Sequence, residues 1–309
     1  MKSLPPEIVN LIRDARSGGL TGFSVASLEK DVHISSVLKL IAKLKQEHYS
    51  LVFCGGTSLI KAHRIIERMS EDVDFKIILE NGLSTSARRR LLSQIRDEFL
   101  TLIDNSDYSR NDYHAENNNS HFQIDIEYES AFERTVALRP TIKVEFTETT
   151  TALPTRVRTV TTLIGDVAAQ YLNPVELECL SLEETMAEKV VSFLRRQLPY
   201  FRNSPGQYEG QLVRHVYDVH MLSQSEIDFA ATRQATKYAY SQDAERYAKT
   251  NTNFASEPKQ ELLRSLGSLN REEIASNYAI FVADLLNGTE PECEEALDSF
   301  IYVAESLLI

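Results

Sequence analysis

The chain has 309 residues, with 33 Lys and Arg residues against 45 Asp and Glu residues, so its formal net charge is −12. Apolar residues make up 42% and charged residues 25%, which excludes a disordered chain, a collagen-like chain and a disulfide scaffold. The acidic balance also argues against a protein that coats nucleic acid through bulk charge, so any nucleic-acid contact needs a local basic patch.

The first elements alternate between helices and strands. Apolar residues at helical spacing predict helices over residues 5–16 and 26–45. A short apolar run over 51–54 predicts a buried strand, after which 57–66 returns to helical spacing. The alternation of polar and apolar residues over 72–79 predicts a second strand.

The middle of the chain contains further strands. Residues 84–103 predict a basic amphipathic helix, and the Asp, Asn and Ser residues of 104–120 predict a loop. Alternation predicts strands over 122–128 and 141–147, and the Thr-rich stretch 147–162 suggests another edge strand pair.

The last part of the chain is mostly helical from residue 177 onward. Its spacing predicts helices over residues 182–198, 211–223 and 257–309, and its composition predicts a loop over 199–210. We therefore predict an α+β fold, in which a part that mixes strands and helices is followed by a mainly α-helical domain, with a boundary near residue 170.

The residues that indicate chemistry lie between 51 and 77. Gly55 and Gly56 end the first strand, and their amides, together with the following helix N-terminus, suit a triphosphate. Asp72 and Asp74 are two residues apart in a strand, so their carboxylates point to one face and repel unless a cation lies between them. Such oxygens suit Mg²⁺, and the combination predicts phosphoryl or nucleotidyl transfer helped by two metal ions. A D-x-D pattern alone is usually only solvated; the strand–turn–helix–strand order makes the prediction specific.

This stretch resembles the signature of a known family. The sequence Gly-Gly-Thr-Ser-Leu at 55–59, followed by Arg68-x-Ser70-Glu71-Asp72-x-Asp74, is similar to that of the AbiEii/AbiGii toxin family of nucleotidyltransferases, within the DNA polymerase β-like superfamily. Three further motifs match, at Glu29-Lys30-Asp31, Ala187-Glu188-Lys189 and Arg214-His215-Val216-Tyr217-Asp218. In the last motif His215 replaces the family's first Asp, while Asp218 stays in register. The resemblance runs from about residue 26 to about residue 300.

The resemblance implies a fold, an activity and a biological role. Residues 1–170 would form a nucleotidyltransferase core with N-terminal helices, in which a mixed β-sheet is flanked by helices. Residues 171–309 would form a helical domain that contributes Lys189 and Asp218. The activity would be Mg²⁺-dependent transfer of NMP from an NTP to an RNA acceptor, the 3′ end of tRNA first of all, which blocks translation and growth. The chain would be the toxin of a type IV toxin–antitoxin pair with a role in phage defence, and its antitoxin would be encoded nearby, without an implied complex.

The resemblance also implies roles for single residues. Asp72 and Asp74 would hold Mg²⁺, and a third carboxylate from a neighbouring strand would be Glu145 or, as the alternative, Asp125. The nucleotide would be bound by Gly55, Gly56 and Thr57 of the turn after the first strand and by Arg68 and Ser70 just before the strand at 72–79. Lys189 of the helical part would also bind it.

Two further groups of charged residues complete the predicted site. Lys189 would neutralise the triphosphate, and Asp218 would act with it as a base or as the group that orients the incoming hydroxyl. Arginines on two predicted helices, Arg88, Arg89, Arg195 and Arg196, are candidates for RNA binding. The alternative for these arginines is an ordinary solvated helix face.

Two other functions remain open from the sequence. The same core could transfer a nucleotide to a small molecule such as an aminoglycoside, or to a protein hydroxyl. A catalytically silent nucleotide-binding module is disfavoured because both aspartates are present. The three widely spaced cysteines and the lack of a long apolar segment lead us to expect a cytoplasmic protein with reduced thiols and no membrane contact.

Overall fold

The computed structural model describes most of the chain, namely residues 2–133, 138–168, 174–201, 209–288 and 290–309. These residues form two compact units. The first comprises Met1–Thr151 and Thr155–Leu180, and the second comprises Ala152–Pro154 and Ser181–Ile309. The domain boundary predicted near residue 170 lies outside the described residues, so the predicted division stays a prediction.

The first unit combines one mixed β-sheet with helices. Its strands are β1 (Tyr49–Cys54), β2 (Asp72–Leu79), β3 (Ser109–Arg110), β4 (His114–Glu116), β5 (His121–Glu127), β6 (Thr141–Glu148), β7 (Arg156–Val160) and β8 (Val175–Cys179). Its helices are α1 (Pro6–Ser17), α2 (Val25–Ile41), α3 (Gly55–Ser58), α4 (Thr85–Asp104) and α5 (Leu163–Val167), with a π-helical turn at Leu59–His63.

The sheet places β2 between β1 and β6. The strand order is β3-β5-β6-β2-β1-β8-β7, and β4 pairs with β5 outside this path. β2 runs antiparallel to β1 and parallel to β6, whereas β5 and β6 are antiparallel. The sheet is therefore mixed, as predicted.

One face of the sheet is apolar and closely packed. Alternate residues of β5 and β6 are fully buried, and the ring of Phe146 stacks on those of Phe75 and Phe122 at centroid distances of 5.7 and 4.9 Å. Phe99 of α4 meets Phe146 edge-on at 5.2 Å, so α4 covers this face. The polar residues of the same strands consequently point to the other face.

The sequence-based prediction differs from the sheet in two places. The loop predicted over 104–120 contains β3, β4 and a short 3₁₀ turn, because backbone pairing with β5 stabilises residues whose composition is typical of turns. The edge strand pair suggested over 147–162 is one strand, β7, whose partner β8 comes from a region predicted to turn helical at residue 177.

The second unit is helical in the part of it that the structure describes. Its helices are α6 (Leu182–Gln197), α7 (Val213–Ser223), α8 (Phe229–Tyr247), α9 (Thr252–Ser256), α10 (Pro258–Gly267), α11 (Arg271–Leu285) and α12 (Cys293–Leu308). Ser181 caps the N-terminus of α6, because its hydroxyl accepts a hydrogen bond from the Glu184 amide. α8 was not predicted, because few apolar residues mark its polar sequence and only three of its side chains are buried.

Two expectations about the whole chain concern thiols and membranes. Cys54 and Cys179 are buried, and burial raises the pKa of Cys179 to about 12, so this thiol is unreactive near neutral pH. Among the helices of the described segments, none combines the length and the apolar content required to cross a bilayer.

Candidate active site

The turn after β1 is the point at which the predicted site residues of the first unit meet. Gly55 has φ +75°, a left-handed conformation that glycine adopts without strain. A side chain at this position would collide with the Asp74 carboxylate, whose Cγ lies 3.1 Å from the position of an added Cβ. Cys54 pairs with Asp74 across the antiparallel β1–β2 ladder, which explains why the turn and the second aspartate are neighbours.

The second glycine is approached from the segment that precedes β2. An added Cβ on Gly56 would lie 2.6 Å from Arg68 Nη2 and 2.7 Å from Ser70 Oγ. The Thr57 hydroxyl donates a hydrogen bond to the backbone carbonyl of Asp72. The structure therefore brings together the residues for which sequence analysis predicted nucleotide binding in this unit.

The carboxylates lie on the polar face of the sheet. Asp72 and Asp74 are half-buried, while Val73 and Phe75 between and after them are buried on the opposite face. The parallel β2–β6 ladder places Glu145 directly opposite Asp74. Asp125 lies one strand further away.

Lys143 lies between these acidic residues. It pairs in register with Asp72 on one side and with Asp125 on the other. Its ammonium group forms an ion pair with Glu145. The sequence contained a signal for this residue, since Lys143 alternates with the buried residues of β6, but sequence analysis missed it.

Arg139 is the other cation that sequence analysis missed. Its Nη1 atom lies 2.6 Å from Asp72 Oδ1. Its backbone amide donates to Glu71 Oε1 at 2.7 Å, and its carbonyl accepts from Lys30 Nζ at 2.9 Å. No sequence pattern connects residue 139 with residue 72, so only the fold reveals this contact.

The Glu29-Lys30-Asp31 motif is entirely buried in α2. Lys30 forms an ion pair with Glu71 at 2.5 Å, and burial lowers the pKa of Lys30 while Glu71 opposes that effect. Asp31 forms an ion pair with Lys61, and burial raises the pKa of Asp31 while Lys61 opposes that effect. The motif thus anchors α2 to the segments around the site.

Glu29, the first residue of this motif, binds the chain near residue 130. One carboxylate oxygen accepts from the Ser130 hydroxyl at 2.5 Å and the other from the Ala131 amide at 2.6 Å. Each of the three consecutive charged side chains therefore holds a different segment of the first unit.

The second unit holds its two predicted residues together. Lys189 Nζ lies 2.6 Å from Asp218 Oδ2, joining α6 and α7, with side chains that are 8% and 0% exposed. This buried ion pair fixes the orientation of both side chains.

The four arginines predicted to bind RNA occupy different surroundings. Arg88 forms a bidentate ion pair with Glu148, and this contact raises the pKa of Arg88. Arg89 is exposed. Arg195 pairs with Asp243 and lies over the Phe201 and Tyr247 rings. Arg196 pairs with Glu209, and burial lowers the pKa of Arg196.

The donor set on the polar face suits a hard divalent cation. Asp72 and Asp74 offer carboxylate oxygens from one strand, and Glu145 offers a third across the ladder. Arg139 and Lys143 supply positive charge to these acids, as a metal ion would. Within the described ranges, no three or more His, Cys, Asp or Glu side chains are already grouped closely enough to hold a metal ion.

Comparisons with known proteins show a family and a similar fold. The family model described as "Nucleotidyl transferase AbiEii toxin, Type IV TA system" matches residues 39–301. The solved structure of MenT4, a nucleotidyltransferase toxin from Mycobacterium tuberculosis, is similar at 17% identity with a TM-score of 0.54, covering 99% of each chain. At this identity the likeness concerns the fold. No curated protein matches.

Proposed function

The chain belongs to the AbiEii family of nucleotidyltransferase toxins of type IV toxin–antitoxin systems, and from this premise we propose that it transfers NMP from an NTP to the 3′ end of tRNA. The observation that carries the proposal is the packing of Asp74, Arg68 and Ser70 around the Gly55-Gly56 turn. This arrangement joins a partly exposed glycine turn with carboxylates that suit a divalent ion.

In this proposal the first unit binds and orients the nucleotide. The Gly55 and Gly56 amides and the Thr57 segment receive the phosphates, and the Arg68 guanidinium, buried at 3% exposure, supplies a planar charged fork. The Ser70 hydroxyl contributes a further hydrogen bond. Asp72 and Asp74, with Glu145 as third ligand and Asp125 as the alternative, would hold two Mg²⁺ ions. When bound, these ions neutralise the charge that develops on the phosphate oxygens.

The reaction forms one phosphorus–oxygen bond and breaks another. The terminal ribose hydroxyl oxygen of tRNA attacks the α-phosphorus, the α–β bridging bond breaks and pyrophosphate leaves. We assign acceptance of the hydroxyl proton, or orientation of that hydroxyl, to Asp218, and neutralisation of the triphosphate to Lys189. The contact between Lys189 Nζ and Asp218 Oδ2 at 2.6 Å supports these roles, because it holds the two groups beside each other.

The decisive experiment measures label transfer to RNA. Purified protein is incubated with total tRNA and each α-labelled NTP, with and without Mg²⁺. We expect label on tRNA from at least one NTP, only with Mg²⁺, and none on tRNA whose 3′ diol has been oxidised with periodate. If no NTP labels tRNA, the proposal is wrong, and label on an aminoglycoside instead would support the small-molecule alternative.

A matched pair of variants tests the site itself. Asp72→Asn should reduce transfer at least a thousandfold, because it removes a charge from the proposed metal site. Asp14→Asn, an equal change at an exposed position in α1, should leave transfer unchanged. Circular dichroism of both variants checks that they fold.

The toxin role is tested in bacterial cells. Induced expression of the wild-type chain should arrest growth, and expression of the Asp72→Asn variant at equal protein level should not. Co-expression of a neighbouring gene that restores growth would identify the antitoxin. Arrest by the Asp72→Asn variant would separate toxicity from nucleotidyl transfer and contradict the proposal.

A further inference from the structure

The guanidinium of Arg139 lies against one aspartate of the proposed metal site. Its Nη1 atom is 2.6 Å from Asp72 Oδ1, and the two side chains are 37% and 29% exposed. A partly exposed ion pair contributes little to stability by itself. We therefore consider which contacts hold Arg139 beside Asp72.

A buried ion pair holds the backbone of Arg139 on both sides. Glu71 accepts the Arg139 amide hydrogen at 2.7 Å, and Lys30 donates to the Arg139 carbonyl at 2.9 Å. Lys30 and Glu71 are themselves paired at 2.5 Å, with side chains 0% and 4% exposed. Because Glu71 precedes Asp72 directly, this network fixes residue 139 next to the aspartate.

The fixed position places two cations in competition for one carboxylate. The guanidinium contacts Oδ1 of the same carboxylate to which a divalent ion at Asp72 would bind, and two positive charges on one carboxylate repel each other. We propose that Arg139 is an internal counter-cation of the metal site, which neutralises Asp72 before metal binds and must leave Asp72 when metal enters.

The competition predicts an order of binding. A displaced guanidinium needs a new acceptor, and the phosphates of an NTP are suitable for its planar fork. Metal should therefore bind weakly to the nucleotide-free protein and strongly together with the nucleotide. The inference rests on the proposed function, because it takes Asp72 as a metal ligand.

The test measures Mn²⁺ binding without turnover. Electron paramagnetic resonance of free Mn²⁺ gives the affinity of nucleotide-free wild type, Arg139→Gln and the control Arg110→Gln. Arg110 also pairs with an aspartate, Asp104 at 2.8 Å, but it lies on β3. We expect Arg139→Gln to bind Mn²⁺ about tenfold more tightly and Arg110→Gln to stay within twofold.

Nucleotide affinity should change in the opposite direction. The KM for the NTP should rise about tenfold in Arg139→Gln, because a phosphate ligand is lost. A merely structural role for Arg139 would loosen the site and weaken metal and nucleotide together. Arg139→Lys keeps a cation and should restore both values toward wild type. If Arg139→Gln does not fold, Arg139→Met removes the charge with a side chain of similar length.

The outcomes separate this inference from the proposed function. Asp72→Asn should abolish the Mn²⁺ site with or without Arg139. If Arg139→Gln binds Mn²⁺ no more tightly than wild type, while Asp72→Asn still abolishes Mn²⁺ binding, the proposed role of Arg139 is wrong and the metal site at Asp72 stands. Tighter Mn²⁺ binding in a protein that labels no acceptor from any NTP would support Arg139 and count against the transferase proposal alone.

Discussion

Gly55 is the residue whose substitution tests the geometry of the turn most directly. It has φ +75°, and the Asp74 carboxylate fills the space that a side chain would need. We expect Gly55→Ala to destabilise the protein by about 2–3 kcal/mol and to abolish transfer, since left-handed strain and overpacking both act. Urea denaturation and the tRNA labelling assay measure the two effects.

Gly82 provides the matched control for this prediction. It has φ +87°, yet an added Cβ there would meet nothing within 4 Å. Gly82→Ala should therefore cost only about 1–2 kcal/mol from backbone strain and leave transfer intact. Equal losses in the two variants would show that contact with Asp74 does not matter.

His33 makes the stability of the first unit depend on pH. Burial, helped by the charge of Lys2, lowers the pKa of His33 to about 4. Its Nδ1 atom forms a hydrogen bond with the Tyr108 hydroxyl at 3.0 Å, and its ring stacks on Tyr128. Its Nε2 atom is buried and has no hydrogen-bond partner in the described part of the chain. A proton on Nε2 would therefore be a buried charge without an acceptor.

The sign of this dependence follows from the lowered pKa. Between about pH 6.5 and pH 4 the unfolded chain binds a proton that folded His33 does not, so stability falls as the pH falls through this window. We expect the free energy of unfolding of the wild type to fall by about 3 kcal/mol across this window through His33, a decrease that His33→Gln does not show. Urea denaturation at pH 7.5, 6 and 4.5 measures it, and an equal loss in both proteins would contradict the assignment.

Strand register decides which third carboxylate faces the aspartate pair. Alternation along β5 and β6 puts Asp125 and Glu145 on the same polar face, so sequence alone left both open. The parallel β2–β6 pairing places Glu145 opposite Asp74, whereas Asp125 is opposite Lys143 and one strand away. Register thus favours Glu145 as the ligand.

This register leads to a paired prediction. Glu145→Gln should raise the Mg²⁺ concentration for half-maximal transfer at least tenfold and lower kcat about a hundredfold. Asp125→Asn should change each value by less than threefold. A Mg²⁺ titration of the labelling rate measures both variants, and the reverse pattern would assign the third ligand to Asp125.

The helices show a similar division between local pattern and packing. α6 was predicted because apolar spacing is a local feature, and the Lys189 of its family motif does meet Asp218. α8 was missed, since its helical state depends on packing against α6 and α12 rather than on its own periodicity.

The net charge of the whole molecule bears on how tRNA binds. The chain carries −12, and residues 271–309 hold nine acidic residues against one basic residue. Arg88, Arg195 and Arg196 are engaged in ion pairs with Glu148, Asp243 and Glu209, whereas Arg89 is exposed. Of the four arginines predicted to bind RNA, three are therefore already engaged by carboxylates.

The expected consequence is a weak salt dependence. Raising KCl from about 50 to 200 mM should raise the KM for tRNA less than about twentyfold, since roughly three or fewer phosphates are contacted. Arg89→Gln should lower the slope of log KM against log salt by about 0.7–1, while Arg271→Gln, which breaks an exposed pair with Asp298, should not. A rise of a thousandfold or more in the KM for tRNA over the same KCl range would indicate an extended RNA-binding surface.

The sequence by itself determined the local features of the site. The end of the first strand at Gly55 and Gly56 and the common face of Asp72 and Asp74 follow from local sequence pattern, and the strand–turn–helix–strand order made the resemblance to the family specific. Periodicity likewise predicted most of the strands and the helical part, whereas the mixed sheet was implied by the resemblance.

Only the tertiary structure decided which groups meet across the sheet. Alternation tells which face a side chain occupies but not which strand lies beside it, so Glu145 and Lys143 became neighbours of the aspartates only through register. Arg139 reaches Asp72 because a buried ion pair from α2 holds its backbone, a contact between distant segments that no local pattern encodes.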